Sequence, residues 1–166
     1  MMTDYFESVR KPLTPNDVGV TGSHQAGVVI PRDPRMLAFF PPLDAGRRNP
    51  RSTIPFSDDD GREWRLNYIY YNGKILGFST RNEYRLTGLT PFLRNHNASP
   101  GDLLELSRHP EERWGIRLIT KDRPAIGNGS DSETQADKQS FPAFGVLETV
   151  TLSGTWSAVA RRKNVR

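Results

Sequence analysis

The sequence has no cysteine, no long apolar run and no extended stretch of helical periodicity. Without cysteine the chain has neither a disulfide framework nor thiolate chemistry, which favours a reducing, cytoplasmic location. No apolar run approaches the roughly 20 residues that a membrane-spanning helix needs, and the N-terminus has no signal-peptide core. We therefore expect an intracellular protein without a membrane segment.

Charge of one sign is only slightly in excess, because 23 lysines and arginines stand against 19 aspartates and glutamates, a net charge of +4. A mildly basic chain favours an anionic partner such as nucleic acid without requiring one. Its 166 residues suit a single domain over 1–166 and suffice to bury a core without metals or cross-links.

Glycine and proline are frequent, at 14 and 13 residues, and punctuate short apolar segments. The alternating or β-branched segments among these predict strands at 26–31, 63–72, 74–86, 101–109, 113–120 and 143–156. Asn72-Gly73 predicts a tight hairpin turn. Short helices are predicted at 4–10, within an N-terminal extension 1–12, and at 35–40, and residues 157–166 as a basic tail. The fold class is mainly β, an antiparallel barrel or sandwich with short helices.

The segment GFSTRNEYRLTG carries Arg81, Glu83 and Arg85, spaced two apart. In an extended strand these three side chains share one face. Arginine can bond guanine O6 and N7 bidentately, and glutamate can accept a hydrogen bond from the cytosine N4 amine. The spacing therefore suits a G·C-rich major-groove edge. The alternative is a solvent-exposed strand of mixed charge with weak surface ion pairs.

A second polar segment, residues 13–31, places His24 and Gln25 after a run of loop-forming residues and just ahead of a strand. Such a loop can present both side chains and backbone N–H groups to bases or phosphates. It has neither the GxGxxG nor the GxxxxGK[ST] spacing of nucleotide-cofactor loops. The alternative is an ordinary turn with a surface histidine.

No constellation indicates catalysis or metal binding. Ser23 and His24 are adjacent, so their side chains point apart in extended chain, and there is no GxSxG elbow. The three histidines lack metal-ligand spacing, and the acidic run at 57–61 is typical of a turn. We expect no catalytic residue, no metal ligand and no cofactor. Two alternatives stay open: a compact magnesium-dependent nuclease, and a small barrel that binds RNA or a protein.

Together the two segments resemble a known family. NDVGVTGSHQAGVVIP at 16–31 and YIYYNGKILGFSTRNEYRLTG at 68–88 resemble the N-terminal effector domain of the restriction endonuclease EcoRII. FFPPL at 39–43 is similar to the C-terminal DNA-reading domain of the restriction enzyme BfiI, and GDLLEL at 101–106 to plant B3 domains. All belong to one superfamily of B3-like DNA-binding pseudobarrels.

The resemblance implies a seven-stranded distorted barrel whose two arms grip duplex DNA in the major groove. It implies an N-arm that contacts DNA through Ser23, His24, Gln25 and Val29. It implies a C-arm, residues 79–85, that contacts DNA through Ser79, Arg81, Asn82, Glu83, Tyr84 and Arg85. The family pattern is Lys-Thr-Arg-Asn-Glu-Lys-Arg, so Ser79 and Tyr84 stand here in place of two lysines.

As a member of this family, the chain would read a short G·C-flanked site such as CC(A/T)GG. It would be the non-catalytic effector or target-recognition module of a bacterial restriction endonuclease, with a nuclease domain or chain as its partner. Magnesium would be needed only by that nuclease. We expect a monomer that binds double-stranded DNA in the bacterial cytoplasm.

Overall fold

The computed structural model describes residues 6–20, 27–121, 146–152 and 156–162. Its elements in chain order are β1 (Phe6–Pro12), β2 (Val28–Ile30), α1 (Pro34–Phe39), β3 (Arg51–Ser57), β4 (Glu63–Tyr71), α2 (Gly73–Leu76), β5 (Glu83–Thr87), α3 (Thr90–Asn95), β6 (Leu103–His109), a 3₁₀ turn (Pro110–Glu112), β7 (Arg113–Ile119), β8 (Val146–Thr151) and β9 (Ser157–Arg162). None of the helices in these ranges is long and apolar enough to cross a membrane.

In the described part of the chain, nine strands form one curled sheet in the order β2-β5-β4-β3-β7-β6-β1-β9-β8. Neighbouring strands are antiparallel except β3 and β7, which pair in parallel at Phe56–Trp114 and Ser57–Gly115. The buried Trp156, just ahead of β9, donates its indole N–H to the carbonyl of Val29 at 3.1 Å. This bond joins the β8–β9 end of the sheet to the edge strand β2, so the sheet curls towards a barrel.

The concave face of the sheet carries an aromatic core. On β4 the alternate residues Trp64, Leu66 and Tyr68 are buried, as the alternation of residues 63–72 predicts. Helix α1 covers this core with Phe39, whose ring lies edge-on to Trp114 at 5.6 Å. The core therefore fixes which face of each strand is left for binding.

Several elements predicted from the sequence are confirmed. Helix α1 lies within one residue of the prediction for 35–40, and its end precedes Pro41-Pro42. Strands β2 and β4 lie within the predicted segments, and β6 and β7 form the predicted second hairpin. The mainly β fold class is also confirmed, with nine strands in place of the seven predicted.

The helix predicted at 4–10 is wrong, because residues 6–12 form strand β1 between β6 and β9. The register with β9 shifts between Phe6 and Ser8, which inserts an extra residue into β1. Phe6 and Val9 are therefore both buried although they are three residues apart. A spacing of three imitates helical periodicity, and this explains the error.

The prediction of a tight turn at Asn72-Gly73 followed by a strand over 74–86 is also wrong in its first part. Residues 73–76 form helix α2, and β5 begins only at Glu83. The predicted basic tail 157–166 is wrong for its first six residues, which form strand β9. Residues 163–166 lie outside the described residues.

The acidic run at 57–61 forms the turn between β3 and β4, as predicted. The carboxylate of Asp58 accepts hydrogen bonds from the Trp64 indole N–H at 2.8 Å and from the backbone N–H groups of Arg62 and Asp60. The Trp64 bond, ahead of the two backbone bonds, holds the pKa of Asp58 below its ordinary value, against the opposing effect of burial. The run is thus a structural turn.

Because the pKa of Asp58 is lowered in the folded state, the free energy of unfolding should fall as the pH is lowered. A carboxyl whose pKa is lower in the folded state stabilises the fold above its unfolded pKa of about 3.9, and this stabilisation disappears as the pH falls through the folded value. We expect Asp58→Asn to lose less free energy of unfolding between pH 6 and pH 3 than the unsubstituted protein. Urea denaturation at both pH values measures this. Asp59→Asn, which removes the same charge from the same turn, is the control, and an equal change in acid dependence for both variants would contradict the role of Asp58.

Candidate nucleic-acid interface

The outer face of β2, β5 and β4 lies opposite the core and gathers residues from both predicted arms. In the sheet register, Val29 of β2 and Ile69 of β4 flank Arg85 of β5, and Tyr71 of β4 pairs with Glu83. Directly paired residues project to the same face of a sheet. Val29, an exposed residue of the predicted N-arm, therefore lies beside Arg85 of the predicted C-arm.

Glu83 and Arg85 form an ion pair on this outer face. The guanidinium Nε of Arg85 donates to the Glu83 carboxylate at 2.8 Å, and both side chains are partly buried. One terminal nitrogen of Arg85 also lies 3.5 Å from the carbonyl of Gly27, at the end of the N-arm. The pair fixes the direction of both side chains before any ligand arrives, and this favours directional recognition.

Arg81 precedes β5 and is therefore not part of the strand, contrary to the prediction that placed all three residues on one strand. It is exposed, and its guanidinium lies over the ring of Tyr71 at 5.1 Å. Because Tyr71 pairs with Glu83, this cation–π contact brings Arg81 beside Glu83 on the outer face. The row Arg81, Glu83 and Arg85 is thus preserved by a stacking contact.

Tyr84 lies on the opposite face of β5, in a ladder of stacked rings. Its ring is 4.2 Å from Tyr70 and 5.8 Å from Tyr68, and Tyr68 stacks on Phe40 at 4.5 Å. Burial and the neighbouring Tyr70 raise the pKa of the Tyr84 phenol, so it stays neutral at physiological pH. The structure places Tyr84 away from the Glu83–Arg85 pair, and its predicted DNA contact stays a prediction.

Asn82 connects the C-arm to the barrel. Its side-chain oxygen accepts a hydrogen bond from the Tyr70 hydroxyl at 2.8 Å and a second from the guanidinium of Arg32. Arg32, two residues after the end of β2, was not predicted from the sequence. Only its long-range position beside Asn82 reveals it, and no local spacing indicates that position.

Ser79 shapes the loop that carries Arg81. Its hydroxyl accepts the Arg81 backbone N–H at 3.3 Å, and the Arg81 carbonyl accepts the N–H of Lys74 at 2.9 Å. A Cβ atom at Gly73 would lie only 1.9 Å from the Ser79 hydroxyl oxygen, so glycine allows this close approach. Ser79 is exposed, and its predicted DNA contact stays a prediction.

Asn72 is fully buried and ties the loop 44–49 to the start of α2. Its amide nitrogen donates to the carbonyls of Ala45 at 3.1 Å and Arg47 at 2.6 Å, and its oxygen accepts the Asn49 N–H at 2.9 Å. The sequence predicts only a turn at Asn72 and gives no sign of this role. The side chain thus fixes the loop 44–49 against the segment that leads into the C-arm.

Asn72→Ala should lower the free energy of unfolding by about 2–4 kcal/mol, because it leaves several backbone groups without their hydrogen-bond partner. Chemical denaturation measures the loss. The matched control is Asn67→Ala, which removes one hydrogen bond on the outer face of the sheet, the bond that Asn67 Oδ1 accepts from the Thr53 hydroxyl. A loss no larger for Asn72→Ala than for Asn67→Ala would contradict the role of Asn72.

Ser23, His24 and Gln25 lie outside the described residues, so their predicted DNA contacts stay predictions. The described chain resumes at Gly27, whose backbone has a φ of 76°. A Cβ atom there would lie 2.0 Å from the carbonyl oxygen of Leu86 on β5. Glycine is thus required where the N-arm enters the sheet.

Carboxylates that could suggest a nuclease have structural partners. Asp102 accepts the backbone N–H groups of Ser99 and Lys121, and Glu105 pairs with Arg10 and Arg117. Within the described ranges no group of three or more metal-ligating side chains comes together. The outer face of β2, β5 and β4 therefore offers hydrogen bonds to a polar ligand.

The chain is similar to known proteins of two groups, a restriction endonuclease and plant B3 domain-containing proteins. The family described as "Restriction endonuclease EcoRII, N-terminal" matches residues 5–112. The type II restriction enzyme EcoRII of Escherichia coli is 37% identical over 87 residues, which cover 51% of this chain and 21% of that enzyme. The B3 domain-containing protein At5g06250 of Arabidopsis thaliana is 28% identical over 144 residues, which cover 80% of this chain and 46% of that protein.

A solved structure described as an Arabidopsis FUS3-DNA complex has a TM-score of 0.52 at 20% identity. The match covers 68% of this chain and 96% of that chain, and it shows that the two share a fold. The chain spans about half or less of the length of the curated relatives that it matches.

Proposed function

The chain belongs to the family of EcoRII N-terminal domains, and on this premise we propose that it binds double-stranded DNA and reads its sequence through the major groove. The observation that carries the proposal is the row of Arg81, Glu83 and Arg85 on the outer face. Two guanidinium groups on either side of a carboxylate match guanine and cytosine edges, and each good bidentate contact discriminates by about 1–3 kcal/mol. A short site with G·C pairs at its flanks, such as CC(A/T)GG, fits this row.

The ion pair between Glu83 and Arg85 supports readout in a further way. Arg85 offsets the repulsion between the Glu83 carboxylate and DNA phosphates, so an acceptor for the cytosine amine can enter a negatively charged groove. Glu83 in turn limits the rotamers of Arg85, which lowers the conformational entropy lost on binding. Arg81 remains outside this pair, held over Tyr71.

We propose that the chain is the recognition module of a restriction endonuclease and has no catalysis of its own. Its resemblance to one end of the much longer E. coli enzyme supports this, because a nuclease then belongs to another domain or chain. Binding would need no cofactor, and Mg²⁺ would serve only the nuclease. The cysteine-free sequence supports a place in the bacterial cytoplasm, and we propose a monomer as the binding unit.

Binding to short labelled oligonucleotides tests the proposal at fixed, near-physiological salt without Mg²⁺. We expect a CC(A/T)GG duplex to bind far more tightly than its separated strands or single-stranded RNA of the same sequence. Equal affinity for the RNA and the duplex would contradict the proposal and favour an RNA-binding barrel. Added Mg²⁺ should cause no cleavage, and cleavage that disappears on substitution of one carboxylate would contradict the non-catalytic role.

A further inference from the structure

A second segment beside the C-arm carries exposed positive charge that the reading row does not use. We propose that Arg47, Arg48, Arg51 and Lys74 form a phosphate-binding shelf, which holds the DNA backbone while Arg81, Glu83 and Arg85 read the bases. The inference rests on the proposed function and extends it to a third DNA-contacting segment, the loop 44–49 with the start of β3.

The shelf concentrates positive charge, because Arg47, Arg48 and Arg51 lie within five consecutive residues. Within the part of the chain that the structure describes, six lysine and arginine side chains pair with carboxylates, namely Arg10, Lys11, Arg35, Arg65, Arg85 and Arg117. The four shelf residues are exposed, and none of them forms an ion pair with another described residue. The acidic residue of the loop is Asp44, whose carboxylate accepts the Gly46 N–H at 3.0 Å. Local positive charge is therefore left for an anionic partner.

The sheet register places one shelf residue, Arg51, on the same face as the reading row. Arg51 pairs with Ile69, and Ile69 pairs with Arg85, so Arg51 and Arg85 lie two strands apart on the outer face. Two strand spacings amount to about 10 Å. The major groove is about 12 Å wide, so a residue at this distance from a base-reading strand meets the phosphates at the groove wall.

Two sets of contacts join the shelf to the segment 72–78, which leads into the C-arm. Asn72 binds the backbone of the loop 44–49 through its three side-chain hydrogen bonds. The guanidinium of Arg48 lies 4.1 Å from the ring centroid of Phe78, which directly precedes Ser79 and is 37% exposed. This cation–π contact orients Arg48 without neutralising its charge. A cation that is both charged and oriented suits a phosphate contact.

The double variant Arg47→Ala/Arg48→Ala tests the shelf, with salt-dependent binding as the readout. Removing two phosphate contacts should weaken binding to the CC(A/T)GG duplex and to a scrambled duplex alike, by about 10- to 100-fold near 0.1 M salt. The slope of log K against log salt should become less negative by about 1–2, because each lost contact removes about 0.9. The ratio of the two affinities should stay unchanged, since phosphate contacts carry no sequence information.

The matched control is Arg94→Ala/Arg113→Ala, which removes two exposed arginines on α3 and β7. It changes the net charge equally and should leave the salt slope unchanged. Thermal unfolding of both variants should match that of the unsubstituted protein, since all four side chains are exposed. Phe78→Ala should weaken binding to both duplexes less than the double variant does.

Unchanged affinity and slope in the shelf variant, with site preference intact, would overturn the shelf and leave the proposed function standing. A loss of site preference at unchanged salt slope would also overturn it, because these arginines would then read bases. If the unsubstituted chain binds duplex DNA no more tightly than RNA, the proposed function is wrong. The shelf, as part of a DNA-reading surface, is then wrong as well.

Discussion

Arg81→Ala should remove the preference for one base pair of the recognition site and weaken binding to that site by about 5- to 150-fold, equivalent to 1–3 kcal/mol. Weak, salt-sensitive binding to scrambled DNA should persist, because phosphate contacts are separate from base contacts. Because Arg81 is exposed and its guanidinium lies over the ring of Tyr71, its truncation should leave the core intact. The loss of binding then reports the lost base contact. Competition binding with duplexes substituted at each base pair in turn measures the effect.

Arg81→Lys separates geometry from charge. Lysine keeps the positive charge but not the planar fork that bonds guanine bidentately. We expect this variant to retain non-specific affinity and to lose most of the discrimination that Arg81→Ala loses. If either variant distinguishes the site from scrambled DNA as well as the unsubstituted protein does, Arg81 does not read a base.

Gly27→Ala should lower the free energy of unfolding by at least about 3 kcal/mol, because it adds a clash with backbone to an unfavourable φ. The new Cβ would approach the Leu86 carbonyl oxygen to 2.0 Å at a φ of 76°. Backbone cannot rotate away as a side chain can, so β2 must move from β5. That movement separates Val29 from Arg85, so DNA affinity should also fall. Denaturation and duplex binding measure the two losses.

Gly61→Ala isolates the conformational part of this effect. Gly61 has a similar φ of 78° in the β3–β4 turn, and no atom lies within 4 Å of the position its Cβ would occupy. We expect a loss of about 1–2 kcal/mol and unchanged DNA binding. Equal losses for the two variants would mean that β2 and β5 do not approach each other as closely as described.

The local sequence pattern predicts those elements whose apolar residues alternate strictly or whose ends are marked by a nearby proline. The alternation in 63–72 predicted β4, and the prolines after Phe40 marked the end of α1. The error at residues 4–10 arose because the bulge in β1 imitates a helical spacing, and only pairing with β6 and β9 reveals the strand. Strand β3 and helix α3 were missed, since proline occurs in both and weakens the local signals.

In the candidate site, too, features with a local sequence signal were predicted and features that depend on long-range contacts were not. The row Arg81, Glu83 and Arg85 was found from its spacing and from the family resemblance, which the family match confirms. The spacing predicts that all three residues lie on one strand, whereas Arg81 precedes β5 and reaches the row through its contact with Tyr71. The roles of Arg32 and Asn72 were missed because their hydrogen-bond partners lie far away in sequence, and a single sequence carries no signal for such pairs.

Selection from a library of duplexes with a randomised central segment tests the central claim most directly. The purified chain, at near-physiological salt and without Mg²⁺, should enrich one short site with G·C pairs at its flanks, as in CC(A/T)GG. The enriched duplex should then bind about 10³-fold more tightly than a scrambled duplex of the same composition. An unenriched library, with equal and weak binding to all duplexes, would contradict the claim that the outer face of β2, β5 and β4 reads DNA sequence.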